Sequence, residues 1–154
     1  MNRENSAPKR ALAVENFRDD PMFPRIEAAV LEILSRGHVV APVDVFVAIG
    51  LLSKNHLQDW RLGRIPHLEA VIGCNLTKAS RLLRVLRFFA HDLNLSPSQT
   101  AYHKFGEGHF PLRFTKTGEP KIEEAWSRHY VWIGRKPFVL RGVSVDGQTE
   151  PKAT

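Results

Sequence analysis

Apolar positions recur with helical spacing through the first two thirds of the chain and then change rhythm. Between Pro24 and Gly37, the residues Ile26, Val30, Ile33 and Leu34 share one arc of a wheel drawn at ~100° per residue, opposite Arg25, Glu32, Ser35 and Arg36. Proline suits a first helical turn and glycine a C-terminal cap, so this stretch predicts an amphipathic core helix. A second helix is expected from Pro42-Val-Asp44 to Gly50, and a short third from Ser53, as N-cap, to Gly63. Pro66 opens another short segment through Ile72. The longest helix follows Thr77 and covers Lys78 to Asn94. Its apolar arc of Ala79, Leu82, Leu83, Leu86, Phe89, Ala90 and Leu93 lies across from Arg81, Arg84, Arg87 and His91, with Phe88 among the arginines.

Beyond Pro97 the helical period gives way to short β-like runs and turn residues. Thr100–Phe105 and Phe110–Thr115 predict a hairpin around Gly106-Glu-Gly108. Pro120–His129 predicts a helix with Glu124 and Arg128 as an i,i+4 pair. Tyr130–Ile133 and Phe138–Val145 predict strands joined by Gly134-Arg-Lys-Pro137. Helices first and β elements later indicate one α+β domain over residues 21–145. Residues 1–20 carry few large apolar groups and read as a flexible arm, with a short helix over Ala11–Phe17; residues 146–154 read as a disordered polar tail.

Composition narrows the classes. With 43% hydrophobic residues in 154, the chain can build a core, which excludes wholesale disorder. A single cysteine, Cys74, excludes an internal disulfide framework and any CxxC site, and a small buried apolar role is expected for it. The longest apolar run, Phe46 to Leu52, has 7 residues against the ~20 that span a bilayer, and Met1–Pro8 lacks a signal-peptide core. A cytoplasmic protein without a membrane partner is the expectation. The net charge of +6 is segregated: residues 1–70 hold nine basic and nine acidic groups, whereas residues 71–99 hold four basic and one acidic. That asymmetry favours a polyanionic partner.

Residues 44–69 include Ala48, Gly50, Ser53, Leu57, Trp60, Gly63 and Pro66 in places comparable to those of a Cro/repressor-type helix-turn-helix, which the segment resembles. An extra residue at Leu51-Leu52 lengthens the turn, and Arg61 stands where that family usually has an acidic residue. The resemblance implies DNA binding, with Lys54, Asn55 and Gln58 exposed near the start of the second helix and able to reach base edges; Asn and Gln match adenine bidentately. Leu57 and Trp60 would face the core. Arg81, Arg84, Arg87, Lys104, Arg113 and Lys116 would neutralise phosphates, because guanidinium forks and ammonium groups suit them. A hairpin carrying Lys104, Arg113 and Lys116 resembles the wing of a winged-helix protein, and Arg3, Lys9 and Arg10 would form a basic arm. The leading reading is a helix-turn-helix or winged-helix-like protein, a bacterial-type regulator, favouring DNA over RNA, with a homodimer left open. Read blandly, the same segment is an ordinary helix-loop-helix of the core, and the arginines only keep a helix soluble.

Two alternatives belong to other classes. The first is an adaptor whose basic helix and Phe88 dock an acidic protein partner; Phe88 otherwise packs under the later β half. The second, ranked lowest, is a metal-dependent nuclease using His103, His109 and His129 with Glu123-Glu124. No H-x-x-x-H spacing supports it, and His129 falls on the apolar face of its helix. The dipeptide His91-Asp92 resembles a phosphohydrolase dyad, but consecutive helical residues point ~100° apart. No GxGxxG or GxxxxGK loop occurs, so no cofactor is expected, and no residue is nominated as catalytic.

Overall fold

Helix α1 (Phe23–Arg36) carries Pro24 in its first turn and turns Phe23, Ile26, Ala29, Val30 and Leu34 inward, as its apolar spacing requires. A computed structural model describes Leu12, Ala13, residues 15–134 and Phe138. After α1 come β1 (Val39–Val40), α2 (Pro42–Ala48) and α3 (Lys54–Arg61). A 3-10 turn (Leu68–Val71) leads to α4 (Leu76–Asp92), β2 (Ser96–Gln99), α5 (Pro120–Ser127) and β3 (Arg128–Val131). Among the described residues the fold is α+β, with five α-helices and one antiparallel sheet of three strands in the order β1-β3-β2. None of these helices is long and apolar enough to cross a membrane.

Helix α4 starts two residues before the expected Lys78, because Asn75 rather than Thr77 is the cap: its side chain accepts the Lys78 N–H at 2.7 Å. Asn94, in a left-handed conformation at φ 62°, follows its end. The seven residues of its predicted apolar arc are all buried, and Val85 joins them. Helix α5 ends at Ser127, two residues short of the expected His129, and Arg128 is already extended. The Ser127 carbonyl is taken from outside by the Thr100 N–H at 3.2 Å and the Thr100 hydroxyl at 2.7 Å. The chain therefore enters the sheet at Arg128 instead of Tyr130, with Tyr130 opposite both Val40 and Pro97.

The predicted hairpin is reduced to one bridge, His103 to Pro111. Hydrogen bonds from Lys104 N–H to the Phe110 carbonyl (2.8 Å) and Leu112 N–H to the Tyr102 carbonyl (2.9 Å) keep its pairing. Gly106, Gly108 and His109, all at positive φ, make the connecting turn, and the ladder is interrupted at Pro111, which lacks an N–H. From Arg113 onward the chain turns to the 3-10 segment instead: Leu68 and Glu69 donate their N–H groups to the carbonyls of Arg113 and Phe114. The expected strand Phe138–Val145 lies outside the described residues except for Phe138, whose ring sits edge-on to Trp132 at 5.3 Å.

The folded part begins upstream of residue 21. Phe17 is 1% exposed and meets Phe23, Phe88 and Phe89 at 5.6, 6.0 and 6.5 Å. That contact explains Phe88, which packs on the N-terminal 3-10 turn (Phe17–Asp19) and not under the β half. The other arm residues, 1–11 and 14, and the tail 146–154 fall outside the described residues. At the centre, a column of rings runs from Phe46 on α2 through Trp126 on α5 and Phe114 to Trp60 on α3, at 4.6, 5.6 and 4.8 Å.

Candidate nucleic-acid interface

The α2–α3 unit is built as its sequence spacing implies. Gly50, at φ 86°, reverses the chain after α2, and the Leu51 N–H returns to the Phe46 carbonyl at 2.9 Å. The additional residue in the turn is absorbed inward: Leu52 is 3% exposed, and the Leu51 carbonyl is held by the Gly73 N–H at 2.7 Å. Ser53 is extended and its hydroxyl accepts the His56 N–H at 3.0 Å, which caps α3. Trp60 is fully buried and donates its indole N–H to the Arg113 carbonyl at 2.8 Å, while Leu57 is half-buried. Lys54, Asn55 and Gln58 are exposed.

Lys54, Gln58 and Arg61 stand at i, i+4 and i+7 and so form one stripe along α3. The stripe continues into the loop. The Arg61 guanidinium lies 4.8 Å from the Tyr102 ring centre and 4.1 Å from that of Phe105, and its carbonyl accepts the Phe105 N–H at 2.7 Å. Burial pushes the Arg61 guanidinium below its usual range, with the Tyr102 hydroxyl opposing it. Lys104 lies across Gly63, where an added Cβ would come within 2.9 Å of its methylenes. Of the other predicted loop cations, Lys116 and Arg113 are both exposed, and Arg113 donates to the Lys116 carbonyl at 2.9 Å.

The predicted phosphate-binding arginines of α4 have partners of their own. Arg81 is spent on an ion pair, its Nε 2.8 Å from the carboxylate of Asp20, whose side chain is only 5% exposed. Arg84 donates to the Leu12 carbonyl at 3.3 Å, and Arg87 lies 5.2 Å from the Phe88 ring. Arg84 and Arg87 then border a cleft of about 460 Å³ between α4 and α5, facing Lys121 and Arg128. Lys121, Arg128 and Arg61 were not among the predicted contacts. The available signal was the spacing of seven that separates Lys121 from Arg128 and Lys54 from Arg61.

Among the described residues no group of three or more His, Cys, Asp or Glu side chains could hold an ion. Asp92 pairs with Arg18. The His129 ring meets Tyr102, Nε2 to hydroxyl, at 2.8 Å. Tyr102 is pushed up to about 12, chiefly by burial, so it keeps a proton to donate to a neutral imidazole. His129 itself is lowered from its ordinary 6.5 by burial, with the Asp44 carboxylate partly opposing. A histidine whose folded pKa is depressed stabilises the fold above 6.5 and loses that contribution as pH falls through the folded value. The melting temperature is therefore expected to decline as pH falls below 6.5, and His129→Gln to flatten that decline. An unchanged profile in the variant would assign the decline to another group.

No protein-family model matches the chain, and neither a curated protein nor a solved structure matches it.

Proposed function

We propose that this chain is a nucleic-acid-binding protein, with DNA favoured, of the helix-turn-helix or winged-helix-like kind, acting as a cytoplasmic regulator. The observation that carries the reading is the polar stripe of α3, capped by Ser53 and running through Arg61 into the loop that bears Lys104 and Phe105. A major groove ~12 Å wide admits a helix, and α3 would enter by its first turn. Asn55 and Gln58 would read base edges. Lys54, Arg61, Lys104 and Lys116 would meet phosphates on either side, with the loop in the place of a wing. Arg81 leaves the contact set because Asp20 already neutralises it.

Fluorescence anisotropy of a labelled duplex across a salt series tests this. Four phosphate contacts imply a log–log slope of about −3.5, and Lys54→Ala or Lys104→Ala should each flatten it by about one. Asn55→Ala should relax discrimination at one base pair by about 1–3 kcal/mol while leaving the slope intact. Binding that ignores both salt and Lys54→Ala would remove the reading.

A further inference from the structure

A cleft lies between α4 and α5, and no residue of the α3 stripe lines it. Arg84 and Arg87, one turn apart on α4, line one wall; Lys121 and Arg128 line the other, with Ile122 and Ala125 between them. The single carboxylate on the lining, Glu124, takes Arg128 at 3.4 Å. Among the described residues no carboxylate pairs with Arg84, Arg87 or Lys121. The Tyr130 hydroxyl, raised by burial, is pulled back by a hydrogen bond from Arg128 and by the charges of Arg128 and Arg87. Cations on both walls over a partly apolar floor leave an uncompensated positive field inside a concave site.

We propose that this cleft docks a short acidic peptide segment of a protein partner, with carboxylates facing the two cationic walls and an apolar side chain between them. Charge complementarity selects the sign of the partner, and guanidinium groups bind carboxylates bidentately. Shape selects the class. About 460 Å³ is the size of a pocket for a few side chains. A duplex, whose major groove alone is ~12 Å across, meets proteins with a broad convex outside and cannot seat in it. Ile122 and Ala125 also match a peptide, because its apolar side chains can pack against them, whereas a sugar–phosphate backbone presents mainly charged phosphate oxygens outward.

The experiment is selection of displayed random 12-residue peptides on the full chain, followed by titration of the enriched peptides. Enriched peptides should be rich in Asp and Glu with interspersed apolar residues. Their affinity should fall about tenfold in Arg87→Ala and again in Lys121→Ala. Glu124→Gln should strengthen binding, since it frees Arg128 from its internal partner, and a merely structural role for Glu124 would not do so. Amide resonances of Ser80, Arg84 and Ile122 should shift on titration. Circular dichroism of the exposed-site variants verifies that they fold. Failure to enrich acidic peptides, or enriched peptides indifferent to Arg87→Ala and Lys121→Ala, overturns the proposal. So does a 20-base-pair duplex that displaces the peptide and loses the same affinity in Arg87→Ala, which would give the cleft to nucleic acid.

Discussion

Trp126→Ala is expected to lower the free energy of unfolding by about 3–5 kcal/mol, the range for removing a large buried aromatic side chain. Trp126 is fully buried and sits in the middle of the ring column. Its ring is parallel to Phe114 within 4° at 5.6 Å and lies 4.6 Å from Phe46. Phe114 in turn reaches Trp60 at 4.8 Å. Three segments distant in sequence therefore meet at the Trp126 ring, namely α2, the loop and α5, and Phe114 carries the column on to α3. Alanine leaves a cavity that rigid rings on both sides cannot close, so most of the transfer and cavity cost persists. Trp126→Phe keeps a ring against Phe114 and should cost much less. Urea unfolding of the three proteins measures both effects. An alanine variant within about 1 kcal/mol of the original would show that the column is not what joins the two halves.

The helices were legible because their signals are local. Apolar residues of α1 and α4 recur every three or four positions, and Pro24, Gly50 and Ser53 mark ends by chemistry that needs no tertiary partner. The sheet was less legible for the opposite reason. β1 has two residues, and β2, with the sequence Ser-Pro-Ser-Gln, is a strand only because β3 lies beside it. Its Pro97 sits on an edge, where a missing N–H is tolerated, yet in the sequence it reads as an interruption. Phe88 misled for a related reason. Its partner Phe17 lies 71 positions earlier, in a stretch whose polarity suggested a loose arm. The charge pattern of the candidate site was visible as residues but not as places. Arg81, Arg84 and Arg87 share a helical arc, but Asp20 claims the first and α5 faces the other two. Periodicity gives the face of a helix and is silent about what that face meets.

Glu123→Ala is expected to cost about 3 kcal/mol and to loosen the loop beside α3. The Glu123 carboxylate accepts the Phe114 N–H at 3.1 and 3.2 Å, the Thr115 N–H at 2.8 Å and the Thr115 hydroxyl at 2.6 Å. Thr115 is 2% exposed, and its hydroxyl oxygen accepts the Gly118 N–H at 2.7 Å, so water cannot easily replace the lost acceptor. Hydrogen bonds to an ionised group contribute about 1.5–3 kcal/mol each, but bonds to one carboxylate are not additive, which keeps the expected total near the upper value for one. Glu123→Gln retains the shape and one acceptor oxygen while turning an amide N–H₂ toward donors, so it should recover only part of the loss. The consequence reaches α3 through the neighbouring backbone. The Arg113 carbonyl receives the Trp60 indole and the Leu68 N–H, and the Phe114 carbonyl receives the Glu69 N–H. Freeing Phe114 from Glu123 therefore weakens the tie that holds the loop of Lys104 and Phe105 against the α3 stripe. Amide exchange should quicken at Leu68, Glu69, Phe114 and Thr115, and duplex affinity should fall although none of the proposed contact residues has changed. Unaltered exchange at those four amides would show that the loop is held independently of Glu123, and the link between this carboxylate and the proposed interface would be severed.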